Sequence, residues 1–138
     1  MLSAISRYGG RFVPEMERIV EACERDGTLL AGPQLEAFEE VFAQRLGGGH
    51  AVTASYGRMA AYDIFRALEL PPGSEVVFPA LTFWVVPEMA RAAGLRVVFA
   101  DVDPRTFNLD PAALERALTP RTRAVVPTHI YGLPCDMR

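Results

Sequence analysis

Three short segments carry the residues best placed for chemistry. The first, VTASYGRMAAYD (52–63), sets Gly57 and Arg58 where a strand-like run gives way to a helix-like one. A helix start exposes unpaired backbone N–H groups and roughly half a positive charge, so it receives phosphate readily. Gly57 has no Cβ and lets an anion approach the backbone. Arg58 would lose ~0.3–1 kcal/mol in that first turn, against the macrodipole. A bound phosphate reverses the sign, because a guanidinium grips two of its oxygens. The alternative is an Arg58 that points into solvent beside a tight turn at Gly57. The second segment, FPALTFWVVPEM, places Phe83 and Trp84 just past a strand, where an aromatic either stacks on a flat ligand ring or joins the core. The third, PTHIYG, offers His129 and Tyr131 with the same two readings. The sequence shows no paired carboxylates, no metal-ligand spacing and no nucleophile–base set.

These segments need a scaffold. From His50 onward, strand-like runs (AVTA, EVVF, RVVFA, RAVVPT) alternate with helix-like runs (RMAAYDIFRAL, PEMARAAG, PAALERAL). That alternation marks βαβ units and a parallel sheet, an α/β fold. Ligands of open parallel sheets bind beyond the carboxyl ends of the strands, which points to residues 55–59, 79–84 and 128–132 on one edge. Asp110 followed by Pro111 is a cap and first helical residue, and Pro87 is expected to open its own helix. Ahead of this region, PEMERIVEACERDG reads as a helix opened by Pro14 and stopped at Gly27. A second helix spans about Gln34 to Leu46, with Leu35, Phe38, Val41, Phe42 and Leu46 on one stripe. The loop between them, GTLLAGP, is apolar, so either a partner surface or its own core covers it.

At 138 residues and 50% hydrophobic, the chain is long enough for one domain with a core. A net charge of -3 without a basic stripe argues against nucleic acid as a partner. No apolar run reaches the roughly 20 residues that span a bilayer, and MLSAISRYGGRF has no h-region, so neither a membrane nor secretion is expected. Cys23 and Cys135 stand far apart and read as two free thiols in a reducing cytoplasm. All 14 basic residues are arginine. A chain without lysine cannot by itself form a lysine Schiff base.

The order and spacing of GTLLAGPQLEAFEEVFAQRLG, HAVTASYGRMA, PPGSEVVFPALTF and VVFADVDPRTFNLDPAALERALTPRTRAVVPTHIYGLPCDM resemble the DegT/DnrJ/EryC1/StrS family. Members are pyridoxal-phosphate aminotransferases of fold type I that mostly act on keto sugars attached to nucleotides. The likeness covers nearly the whole chain from about Pro14. It implies part of a three-layer α/β/α large domain with a mostly parallel sheet, truncated. Residues 1–48 would be an N-terminal helical segment and 49–138 the first part of the cofactor-binding domain.

Carried onto this sequence, Gly57, Arg58 and Met59 match the family's Ser-Gly-Thr-X turn, which holds the cofactor phosphate. Arginine stands where the family has threonine. Phe83 matches the aromatic that stacks on the pyridine ring, with Trp84 one position away. His129 and Tyr131 match motif positions without a catalytic role. The family's pyridinium-pairing aspartate and its lysine lie further along than Arg138, so the chain resembles the N-terminal third of such an enzyme, inactive alone. The family's strand order, 3-2-4-5-6-7-1, would leave AVTA, as first strand, without its neighbour, and the isolated chain is expected to be marginal or aggregation-prone.

The implied function is transfer of an amino group from glutamate or glutamine to a keto sugar by a cytoplasmic enzyme that is a homodimer when full length. A dehydratase of the same family, with histidine for the lysine, and a non-catalytic phosphate-binding remnant are the alternatives. A Rossmann dinucleotide site is disfavoured, since no GxGxxG follows the first strand and Gly47–Gly49 precedes it.

Overall fold

A computed structural model describes residues 14–137. The stretch MLSAISRYGGRF, expected not to be a secretory leader, lies outside them. The chain divides into two compact units, Met1–Thr53 and Ala54–Arg138.

In the first unit, α1 (Pro14–Arg25) and α2 (Pro33–Arg45) follow the sequence signals. Gly27 takes the left-handed conformation (φ +69) that ends α1. Its N–H donates to Glu24 O (3.3 Å) and that of Thr28 to Cys23 O (2.8 Å), the paired closing bonds of a Schellman turn. The α2 stripe forms as expected but is open to solvent along its length, with Phe38 and Phe42 ring centroids 5.9 Å apart. Leu30 is 97% exposed, so the reading in which this loop packs on its own core fails.

One expected strand does not form. AVTA (51–54) has no ladder partner among the described residues and stays irregular, because an extended segment becomes a strand only by pairing. Thr53 turns to α2 instead: its N–H and hydroxyl both donate to Glu39 Oε1, at 2.7 and 2.9 Å. Those bonds, the amide's first, hold the Glu39 carboxyl below its ordinary range.

The second unit runs α3 (Gly57–Ala67), β1 (Glu75–Pro79), α4 (Val85–Ala92), β2 (Arg96–Ala100), α5 (Pro111–Ala117) and β3 (Thr122–Val125), ending in a short 3-10 turn at Ile130–Gly132. The three strands are parallel in the order β2-β1-β3, with Val76 opposite Val97 on one side and Ala124 on the other. With AVTA counted as first, this is the 3-2-4 stretch of the family order. β1 is buried end to end because helices cover both faces, which is why EVVFP is a nearly continuous apolar run. Val76 and Phe78 pack with Phe65, Ala90 and Leu95 from the α3–α4 side. Val77, between them, faces the other way and meets Ala113 of α5. Phe78 meets Phe65 edge-on, with centroids 6.2 Å apart, and burying such a ring contributes about 1.5–3 kcal/mol. The result is the expected three-layer α/β/α arrangement.

Two helix starts test the local rules. Asp110 caps α5, its carboxylate accepting from the N–H groups of Ala112 and Ala113, with Pro111 first in the helix as expected. The start of α4 differs from expectation: it begins at Val85, with Pro87 third rather than first. N–H groups of a first turn have no partner within the helix, so proline at that place forfeits no bond. The Phe83 carbonyl, four residues before Pro87, accepts from Val86 N–H instead, at 3.0 Å.

Candidate functional site

Two of the three candidate segments meet beyond the strand ends of the second unit, and the start of α3 lies toward the same edge. α4 runs back from the carboxyl end of β1 to the start of β2, and α3 packs along it. Phe65, Arg66, Glu69 and Leu70, at the end of α3 and just beyond it, share one hollow with Ala93 and Leu95, just beyond α4. The two helices therefore end together at the amino edge of the sheet. Their first residues, Gly57 and Val85, lie toward its carboxyl edge, where the parallel-sheet rule expects a ligand.

At the start of α3, Tyr56 is extended and offers no side-chain cap. Its carbonyl takes the N–H groups of Met59 (2.9 Å) and Ala60 (3.0 Å). The N–H groups of Gly57 and Arg58 have no protein partner among the described residues. A Cβ added at Gly57 would meet nothing within 4 Å, so the approach to those amides is open. The Met59 amide, by contrast, is engaged by the Tyr56 carbonyl. The Arg58 guanidinium lies over the Tyr56 ring, Cζ 4.3 Å from the centroid. That cation–π contact offsets part of the macrodipole penalty and keeps the cation beside the free amides.

Phe83 and Trp84 stand 58% and 70% exposed in the connector from β1 to α4, so neither belongs to the core. Their ring centroids are 6.4 Å apart and the planes are inclined by 55°. The Thr82 hydroxyl, next to Phe83, shares a hydrogen bond of 2.8 Å with the hydroxyl of Thr128, beyond β3. This bond joins the second and third candidate segments at the strand ends. His129 Nδ1 accepts from Cys135 N–H (2.9 Å), which leaves Nε2 as the protonated nitrogen of a neutral ring. Tyr131 is exposed and left-handed (φ 51, ψ 23). Both cysteines are free thiols. Tyr56, Thr82 and Thr128 lie inside the three candidate segments without being singled out there, and Asn108 lies outside them. The strand-end rule reaches the first three by position alone, and no sequence signal marks Asn108 as part of the site.

A model of the DegT/DnrJ/EryC1/StrS aminotransferase family matches residues 12–138. The chain belongs to that family. Among curated members, it is 41% identical over 123 residues to the spore coat polysaccharide biosynthesis protein SpsC of Bacillus subtilis (strain 168), covering 89% of this chain and 31% of that protein. It is 33% identical over 126 residues to the UDP-2-acetamido-2-deoxy-3-oxo-D-glucuronate aminotransferase of Pseudomonas aeruginosa, covering 91% and 35%. The fold is similar to that of DesV from S. venezuelae, solved in complex with a ketimine intermediate: TM-score 0.83, 36% identity, 89% of this chain and 33% of that one. It also resembles the E. coli GDP-4-keto-6-deoxy-D-mannose-3-dehydratase with bound hydrated PLP (TM-score 0.79, 26% identity, 86% and 32%). The chain thus spans about a third of the length of these DegT/DnrJ/EryC1/StrS relatives.

Pyridoxal phosphate is the cofactor of this family, and the residues present fit it. A phosphate dianion asks for N–H donors and a cation, and the start of α3 offers two free amides and Arg58. A pyridine ring asks for an exposed aromatic face, and Phe83 and Trp84 present two.

Proposed function

We propose that this chain is the N-terminal part of a pyridoxal-phosphate aminotransferase acting on a nucleotide-linked keto sugar, in the sense of its UDP-sugar relative, with glutamate or glutamine as donor. The observation that carries the reading is the open start of α3, with unpaired Gly57 and Arg58 amides and a cation beside them at the sheet's carboxyl edge. In the full-length protein, the cofactor when bound would supply the electron sink of the reaction. Gly57 and Arg58 would hold its phosphate. Phe83, fixed at its base by the Thr82–Thr128 bond, would cover one face of the ring and exclude water there; Trp84 would shield the rim. The lysine would come from sequence outside these 138 residues, so this chain alone is expected to be inactive. Met59 would serve by shaping the turn.

No described helix is long and apolar enough to cross a membrane, and we assign the protein to the cytoplasm as a homodimer when full length. The uncovered α2 stripe and Leu30 support the latter assignment. Residues 1–48 would then form the helical, partner-facing segment and 49–138 the start of the cofactor domain. A dehydratase is the second reading, favoured by the likeness to the GDP-sugar dehydratase.

The test is to sequence the coding DNA beyond codon 138, express the whole frame and titrate it with pyridoxal phosphate. A visible absorbance band that survives dialysis, together with glutamate-dependent amination of a UDP-linked 3-keto sugar, is the expected result. A band with sugar dehydration would select the second reading. A stop after Arg138, or no retained cofactor, would overturn both in favour of a phosphate-binding remnant.

A further inference from the structure

We propose that Asn108 is a positioning residue for the carboxyl-edge site, acting through the segment 128–135; the inference rests on the cofactor reading above. Asn108 follows β2 in the connector to α5 and is 7% exposed. Its Nδ2 donates to two carbonyls of the segment that follows β3, Leu133 O (3.3 Å) and Pro134 O (3.1 Å). Two acceptors on one side set the amide orientation: a flipped amide would aim its own oxygen at both. The cost of that orientation is visible, because Asn108 Oδ1 is buried without a partner among the described residues. An apolar side chain would fill the space without an orphaned acceptor, so the amide serves here through its NH2 group.

The segment that Asn108 holds is tightly folded. Cys135 N–H donates to His129 Nδ1, and Cys135 Sγ donates to Thr128 O (3.3 Å). Leu133 N–H returns to Ile130 O (3.0 Å). Within this turn Tyr131 keeps a left-handed backbone, a conformation that a residue with a side chain holds only when its surroundings enforce it. From Thr128 the hydroxyl contact passes to Thr82, next to Phe83. Side-chain bonds thus tie the connectors after all three strands together: Asn108 joins the second to the third, and Thr82–Thr128 joins the third to the first. Asn108 lies at the far end of that series from Phe83 and touches no residue proposed to hold the cofactor.

The test uses the full-length protein and the variants Asn108→Leu, Asn108→Asp and Thr128→Val, each read by amide hydrogen exchange and by pyridoxal phosphate titration. In Asn108→Leu and Asn108→Asp, the Leu133 and Cys135 amides should lose about tenfold in protection while the β1 amides keep theirs. The pyridoxal phosphate Kd should rise severalfold in parallel, with KM for the amino donor rising more than kcat falls. Thr128→Val cuts the last link, so it should weaken cofactor binding and leave Leu133 protected; it also keeps the proposal testable should the Asn108 variants fail to fold. Unchanged Leu133 and Cys135 protection in Asn108→Leu, or a loosened segment with unaltered Kd in every variant, would overturn the inference. A wild-type protein that binds no pyridoxal phosphate would overturn the proposed function instead, and the exchange comparison would still decide whether Asn108 holds the segment.

Discussion

Arg58 occupies a position where electrostatics alone would disfavour it, and two partners account for it: the Tyr56 ring that it covers and the anion it would meet. The family's threonine would offer one hydroxyl to a phosphate, whereas arginine offers a charge and a fork of donors. In the full-length protein, Arg58→Ala is expected to raise the pyridoxal phosphate Kd about tenfold, the scale of one charge-assisted hydrogen bond. Arg58→Thr should recover part of the loss. Equilibrium dialysis of the two variants at low and high salt checks this. Equal affinities for wild type and Arg58→Ala would mean that the guanidinium serves only the tyrosine contact. The presence of a charged group at this turn was legible in the sequence. Its placement over Tyr56 was not, because side-chain direction at a helix start depends on the extended backbone of the residue before it.

The strands are held at their amino ends by one buried carboxylate. Glu75 opens β1, and its Oε1 accepts from Arg121 Nη2 (2.8 Å) and Nε (3.0 Å), with Arg96 Nε at 3.6 Å; Oε2 accepts from the Thr119 hydroxyl. Arg96 begins β2 and Arg121 precedes β3, so a single side chain gathers the starts of all three strands. The Thr119 bond is the strongest influence and lowers the Glu75 pKa; burial opposes it, and Arg121 and then Arg96 lower it further. A carboxyl depressed below its ordinary 4.5 stabilises the fold fully above that pH, and the contribution disappears as pH falls through the folded value. Glu75→Gln should therefore lower the urea midpoint of the full-length protein at pH 7. It should also flatten the fall of that midpoint below pH 4.5. Glu39 and Asp103 are depressed as well, by Thr53 and by Arg105 respectively, so the wild-type-minus-variant difference is the quantity to plot. Identical acid limbs would remove Glu75 from the account. Among the elements, most helix ends and the three paired strands, of which β1 is buried, were readable because caps and hydrophobic runs are local. The early start of α4 was not, since proline is equally at home at several places in a first turn.

At the scale of the whole chain, the described residues leave strand edges and apolar surface uncovered. Both edge strands, β2 and β3, have an open side, and the α2 stripe and Leu30 lie bare. Heated alone, the chain is expected to unfold over a broad range, bind hydrophobic dyes before heating and associate in a concentration-dependent way. A sharp, cooperative transition of a monomer in calorimetry and sedimentation would sink this expectation.

By itself, the sequence determined the alternation of strands and helices, the caps at Gly27 and Asp110, the parallel α/β class, the family and the edge on which its candidate residues gather. Each of these follows from patterns spanning a few residues, or from motifs whose order survives without knowledge of contacts. Only the tertiary structure decided which groups meet: Thr82 with Thr128 across 46 positions, Asn108 with Leu133 across 25, and Glu75 with the arginines that flank it in space. It also decided that AVTA finds no strand partner among the described residues and that the α2 stripe stays uncovered. The physical reason is the same in each case. Hydrogen bonds and burial between distant residues depend on how the sheet brings its connectors together, and no local periodicity encodes that.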